Sequence, residues 1–193
     1  KYYISYIWEP SSRFNSISKF INSRTVFDIE DFKLLQNSYE SPYALGILKD
    51  LYSDTHTNSN LGDEDVEWAV EKLKNWNGDM IKNDNAGLLY NAYLVFLVKN
   101  TFEDELGANI FNDFIAIQNI PYRSLEILMK QPDTTWFDNI ITDKTETRPD
   151  IVRKSITEAV EFLKVKFPGK DKNSWQWGSI HTIKLRHPLG FVE

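Results

Sequence analysis

Apolar residues recur every three or four positions along most of the chain, which is the spacing of helices that bury one face. The clearest case follows Pro149 and has apolar residues at Ile151, Val152, Ile156, Ala159, Val160, Phe162, Leu163, Val165 and Phe167. The longest case covers residues 86–100 and is apolar nearly all round, which predicts a central helix surrounded by others. The whole pattern indicates about seven helices and therefore a mainly α fold.

Capping residues mark several helix boundaries. Asp28 and Asp63 stand before apolar patterns, where a side-chain oxygen can accept a hydrogen bond from a free helix N–H, and the run Asn83-Asp84-Asn85 opens the longest helix. A separate helix is expected over residues 103–117 after the longest one, and another begins at Pro121. The polar residues 53–62 predict a loop, while Trp136 and Phe137 are expected to fill a groove between helices.

The two ends have a different pattern. Residues 1–8 form a nearly continuous run of β-branched and aromatic side chains, typical of a buried strand, and Pro10 ends it. Residues 175–185 alternate like a second strand. We therefore predict an extended end at residues 1–10, a helical domain at 11–169 and an extended end at 170–193. On this hypothesis the helical domain is an insertion, and both ends belong to a core outside this chain.

Arg13 is placed unusually. A helix begins at Ser11 or Ser12, so Arg13 lies in its first turn, where the partial positive charge of the helix disfavours a cation. A solvated surface arginine is one interpretation. The other is that a functional role keeps the charge at this strand-to-helix corner.

Composition excludes several classes of partner. The formal net charge is -6, the pI is about 5.2, and lysine and arginine do not cluster beyond short pairs. Nucleic acid and anionic membrane surfaces attract basic patches, so neither is expected as a partner. The apolar run at residues 92–98 is far shorter than the roughly 20 residues of a membrane span. Because cysteine is absent, the chain has no thiolate ligand or nucleophile.

Candidate catalytic residues are few. No known nucleophile motif is present, and nothing in the sequence brings a serine to His56, His181 or His187. We interpret His56 as solvated. His181 and His187 could share one face of a strand and bind a metal, but without a third ligand a structural hydrogen-bonding role is favoured. The acidic runs at residues 63–65 and 103–105 are interpreted as helix caps.

Five short stretches resemble, in order, a known family. They are YYISYIWEPSSRF at residues 2–14, Trp76-Asn77-Gly78, PDTTWFD at residues 132–138, WQWG at 175–178 with His181-Thr182, and RHPLG at 186–190. Together they are similar to the penicillin acylase, or penicillin amidase, family of N-terminal nucleophile hydrolases. The family usually has an aspartate at the position of Asn77, so this chain lacks one charge there.

The resemblance implies an αββα sheet core and an N-terminal serine, with its own α-amine as base, that cleaves amides through an acyl-enzyme. This chain resembles the middle of the β chain, after that serine and after the oxyanion asparagine, and alone it is not expected to hydrolyse a substrate. Its implied partners are the remainder of the β chain, the α chain and a small-molecule amide. A periplasmic or extracellular location is also implied.

Arg13 matches a family arginine that supports the oxyanion asparagine, so the resemblance implies a supporting catalytic role for it. Some members bind calcium through an aspartate where this chain has Tyr2; calcium is possible in the full enzyme, with no cofactor expected here. The acyl preference stays open among penicillins, acylated homoserine lactones and other amides. The alternative is a non-catalytic helical module that binds a partner through aromatic ends containing Trp8, Trp175 and Trp177.

Overall fold

The computed structural model describes residues 2, 8–56, 62–117, 119–131 and 134–185, with the side chains of residues 55 and 56 left undescribed. Seven α-helices occur in these ranges: α1 (Ser12–Ile21), α2 (Ile29–Gln36), α3 (Pro42–His56), α4 (Glu64–Lys74), α5 (Asn85–Ala116), α6 (Asn119–Met129) and α7 (Arg148–Lys166). Short 3₁₀ turns cover Thr135–Phe137, Lys172–Ser174 and Trp177–Ser179. The predicted mainly α fold is confirmed. The predicted first strand lies mostly outside the described residues.

The core forms where α7 packs along α5, with α3, α4 and α6 around them. Six of the apolar residues that the helical spacing predicted in α7 are buried, and Phe162 and Val165 are exposed; the buried six are Ile151, Val152, Ile156, Ala159, Val160 and Leu163. The first half of α5 is buried on most sides, as predicted, and Val95 is the main exception. Phe137 is also buried as predicted, while the Trp136 ring lies 5.5 Å from that of Phe102.

The predicted caps at Asp28 and Asp63 are confirmed, whereas the acidic run at residues 103–105, also interpreted as a cap, lies inside α5 and caps no helix. Asp28 and Asp31 form a reciprocal capping box at the start of α2. Asp63 accepts a hydrogen bond from the Asp65 N–H, and Asp84 accepts one from the Ala86 N–H. These aspartates satisfy helix N–H groups that would otherwise lack partners.

Three helix boundaries were predicted wrongly. α6 begins at Asn119, two residues before the predicted Pro121, because proline is tolerated throughout the first turn, where its missing N–H would have no partner. α3 extends to His56, into the predicted loop. The pattern also predicted a new helix at residue 103, but α5 continues through Thr101 and Phe102, because both are buried against the core. The break comes instead at Gly107, whose φ of 68° is a left-handed value that glycine adopts readily.

The predicted strand at residues 175–185 is wrong where the structure describes it. This stretch contains the 3₁₀ turn Trp177–Ser179 and no strand among its described residues. Trp175 is only 3% exposed and packs against Trp68 and Phe167, with both ring centroids 5.9 Å away. The alternating pattern reflects these packing contacts. Trp175 therefore does not belong to an exposed aromatic end.

A buried ion pair joins three helices. The Arg148 Nε donates to Asp54 Oδ2 at 2.8 Å and its Nη2 donates to Asp54 Oδ1 at 3.0 Å, so the pair is bidentate. The Arg148 Nη1 donates to the Met129 carbonyl at 2.7 Å. Arg148 thereby links the start of α7 to α3 and to the last carbonyl of α6. The hydrogen bonds to Asp54 raise the pKa of Arg148.

A carboxyl group is held in its neutral form close to the α5 break. Burial, with a smaller contribution from the adjacent Asp104 carboxyl, raises the pKa of Glu105 to about 8. Asp104 in turn accepts a hydrogen bond from the Ile140 N–H at 2.9 Å. Asp104 thus attaches the loop before α7 to α5. No described helix is both long and apolar enough to cross a membrane.

We expect Arg148→Met to lower the free energy of unfolding by about 3 kcal/mol, because it leaves the Asp54 carboxylate buried without its bidentate partner. Arg148→Lys should lie between this variant and the wild type, since one ammonium cannot replace the guanidinium fork. Chemical denaturation measures both effects. Arg123→Met is the control: its ion pair with Glu126 is partly exposed, and its loss should cost less than about 1 kcal/mol. Equal costs for Arg148→Met and Arg123→Met would contradict this role.

The raised pKa of Glu105 predicts a pH dependence of stability. Between about pH 4.5 and 8 the folded chain retains a proton that the unfolded chain has lost, so the free energy of unfolding should fall as pH rises through this window. Glu105→Gln should flatten that slope and stabilise the chain at pH 8. Denaturation at several pH values tests this, with Glu103→Gln as a control on the same helix. Identical slopes for wild type and Glu105→Gln would show that Glu105 titrates normally.

Candidate functional site

Arg13 is the second residue of α1, as the sequence predicted. Ser11 occupies the N-cap position, but its hydroxyl accepts a hydrogen bond from the Asn15 side chain at 3.1 Å rather than from a helix N–H. The first turn of α1 contains no acidic residue. The charge of Arg13 is therefore added to the positive end of the helix dipole without a local anion.

The Arg13 side chain borders an open groove between α1 and the turn that leads into α3. Ile17, Leu35 and Pro42 supply apolar walls, and Glu40 is the carboxylate of the groove. The Glu40 carboxylate lies 3.6 Å from the Lys19 ammonium and is already paired. No hydrogen bond or ion pair joins Arg13 to another residue in the described part of the chain. The guanidinium is exposed, with its donors available to a group from outside.

A smaller cavity of about 150 Å³ lies on the other side of α1, between the helix start, α3 and α6. Its lining includes Tyr43, Asp50, Glu126 and Lys130. Burial raises the pKa of Asp50, although the nearby Arg148 opposes this effect. Burial also tends to raise the pKa of Glu126, but hydrogen bonds from Lys130 and Arg123 lower this pKa overall.

The charged groups of this cavity have structural partners. Glu126 accepts from Arg123 at 2.7 Å and from Lys130 at 2.9 Å. The Tyr43 hydroxyl donates to the Tyr122 carbonyl at 2.9 Å. The Tyr43 hydrogen bond joins α3 to α6, and the two Glu126 ion pairs are local to α6. We therefore assign the cavity a structural role and keep Arg13 as the candidate functional residue.

The predicted histidine pair is not tested. His181 stacks on Trp177, with ring centroids 4.5 Å apart and an interplanar angle of 10°. His187 and the side chain of His56 lie outside the described residues, so their predicted roles stay predictions. In the described ranges, no group of three or more His, Asp or Glu side chains could hold a metal ion. Tyr2, at the calcium position of the family, offers a neutral phenol and does not fit Ca²⁺, which prefers carboxylate and carbonyl oxygens.

Sequence reasoning missed the Arg148–Asp54 pair and the neutral Glu105. One signal was present for the pair: Arg148, like Arg13, stands in the first turn of a helix, where a cation is disfavoured. In that case Asp54, 94 residues away in sequence, supplies the compensating charge. No local signal marks Glu105, because its burial depends on tertiary packing.

Comparison with known proteins places these features in a family. The family model described as penicillin amidase matches residues 1–193. Similar relatives include the acyl-homoserine lactone acylase QuiP of Pseudomonas aeruginosa, 29% identical over 120 residues, which are 60% of this chain and 14% of the relative. The protein of the same name from Pseudomonas fluorescens strain Pf-5 is 27% identical over 126 residues, 63% of this chain and 16% of the relative.

A third relative of that name, from Pseudomonas putida, is 25% identical over 124 residues, which are 62% of this chain and 15% of the relative. The matched region thus spans 14–16% of the length of these three relatives. The family match, by contrast, extends over all of this chain and includes the α1 corner. The chain therefore belongs to the penicillin amidase family.

Proposed function

We propose that this chain is a helical β-chain segment of a hydrolase that cleaves linear amides by acyl transfer. The observation that carries the proposal is the penicillin amidase match over residues 1–193, and the acylase names of the relatives support it. In this proposal the nucleophile is an N-terminal serine of the same precursor, outside residues 1–193. The helical body supports the active site, and Arg13 is the residue that it contributes.

The proposed reaction follows from the chemistry of an N-terminal serine. The serine oxygen attacks the amide carbonyl while the α-amine accepts its proton, and the departing amine receives that proton as the acyl-enzyme forms. Water then attacks the acyl-enzyme and releases the carboxylic acid. Negative charge develops on the carbonyl oxygen in both steps, so a nearby fixed cation lowers both barriers.

The placement of Arg13 suits this role. Its guanidinium has no partner in the described part of the chain, and it stands at the corner that would face the remaining polypeptide. A guanidinium with free donors can bind the oxyanion asparagine, a substrate carboxylate or a backbone carbonyl. Such bonds become stronger when the surrounding protein excludes water.

The relatives also suggest a substrate class. Because those relatives are named acyl-homoserine lactone acylases, we propose N-acylated amides with a fatty-acyl group as the first substrates to test. Phenylacetyl amides, chosen because of the resemblance to penicillin acylases, form the comparison set. Calcium, where the complete enzyme requires it, would be bound by other segments, since Tyr2 supplies no suitable ligand.

A non-catalytic helical module is the second candidate. The exposed apolar side chains of α1 and α2 favour a binding partner under either proposal. The buried position of Trp175, however, removes one of the aromatic residues on which this alternative relied. Hydrolysis of a chromogenic fatty-acyl or phenylacetyl anilide by the processed full-length protein separates the two candidates. If the full-length protein neither hydrolyses these anilides nor cleaves its precursor, the result would support the binding module.

In the full-length enzyme, Arg13→Ala should lower kcat by about 100-fold or more, because it removes a charge that stabilises the transition state. The folding of the helical body should change little, since Arg13 is exposed and has no described partner. Steady-state kinetics and circular dichroism measure the two effects. Lys19→Ala is the matched control, because Lys19 is an exposed cation on the same helix. Turnover unchanged by Arg13→Ala would remove Arg13 from the active site.

A further inference from the structure

Much of the apolar side of α1 is exposed. Phe14, Ile17 and Ile21 are 71%, 41% and 52% exposed, and no residue of α1 is buried. Successive residues on a helix are rotated by about 100°, which places these three side chains together with Phe20 on one face. We call Arg13, Phe14, Ile17 and Ile21 the α1 face. Arg13 lies within its arc, between Phe20 and Ile17.

Contacts with α2 and α3 set the position of the α1 face. Phe20 contacts Phe27 and Phe32, with ring centroids 5.1 Å and 6.0 Å away, and so joins α1 to α2. The Tyr39 carbonyl accepts a hydrogen bond from the Met80 N–H, which attaches the end of this unit to the helical body. α1 itself packs against α3. A preformed apolar face with an arginine inside it has the composition of an interface, in which arginine and aromatic residues are enriched.

We propose that the α1 face packs against the remainder of the same precursor polypeptide, with an acceptor oxygen of that polypeptide bound to Arg13. This inference rests on the proposed function, in which the chain is one segment of a longer amidase. The three quoted relatives are matched over only 14–16% of their length, so a family polypeptide has ample surface for this contact.

The charge of Arg13 limits which kinds of surface can pack against the α1 face. A purely apolar surface would bury the guanidinium without acceptors, at a high cost in free energy. A second copy of the chain that docked through the same face would bring two Arg13 cations into one apolar interface, which is also unfavourable. A polypeptide that offers apolar side chains and a carboxylate or carbonyl oxygen satisfies both requirements.

Photo-crosslinking tests the occupant directly. The full-length protein is produced with p-benzoylphenylalanine in place of Phe14, irradiated, and analysed by mass spectrometry. The proposal requires cross-links within one molecule, from position 14 to peptides outside residues 1–193. The same probe at Val165, which is 78% exposed on α7, controls for non-specific reaction and should give a lower yield of such cross-links. Cross-links between two copies, cross-links only within residues 1–193, or equal yields at both positions would overturn the proposal.

Activity gives a second test that separates this inference from the proposed function. In the full-length enzyme, the double variant Phe14→Ser, Ile17→Ser should lose about tenfold or more of its anilide hydrolysis, because apolar burial at the interface is lost. Val165→Ser should change activity by less than about twofold. A wild-type enzyme without amidase activity contradicts the proposed function, and the cross-links then decide the interface alone. An active wild type whose double variant behaves like Val165→Ser overturns the α1 interface.

Discussion

The bidentate pair between Arg148 and Asp54 is the constraint on which the helical body depends. An arginine at the first position of α7 opposes the helix dipole and is mostly removed from water, so it is tolerated only because Asp54 and the Met129 carbonyl satisfy it. This requirement fixes the start of α7 against α3 and the end of α6. The apolar stripe of α7 then follows the first half of α5, and the core closes around the two helices.

The two first-turn arginines have opposite surroundings. Arg148 finds its anion inside the domain, whereas Arg13 lies on an exposed apolar face with no described partner. A cation in the first turn of a helix is disfavoured in both cases. Arg148 is compensated inside the domain, whereas Arg13 requires a compensating group from outside it. Because the body is held by interactions independent of α1, the α1 face can be displayed without being needed for the core. This separation between a self-supporting helical body and an exposed α1 face suits a scaffold that contributes one functional charge.

Much of the fold follows from the sequence because helix periodicity and capping are local signals. The buried stripe of α7, apart from the exposed Phe162 and Val165, and the caps at Asp28 and Asp63 were predictable in this way. The break at Gly107 and the non-strand geometry around Trp175 were not, because both depend on which side chains the core covers. For the site, residue placement singled out Arg13 as unusual, but its proposed role came from family resemblance. The exposure of the α1 face became visible only when the neighbouring helices were in place.

The most direct test of this account is amide hydrogen exchange of α1, compared between residues 1–193 alone and the full-length protein. In the isolated chain α1 buries no residue, so its amides should exchange rapidly while those of α5 stay protected. In the full-length protein the α1 amides should exchange much more slowly, with α5 as the internal standard. Equally rapid exchange of α1 in both would contradict the claim that this helix is the contact between the helical body and the rest of the enzyme.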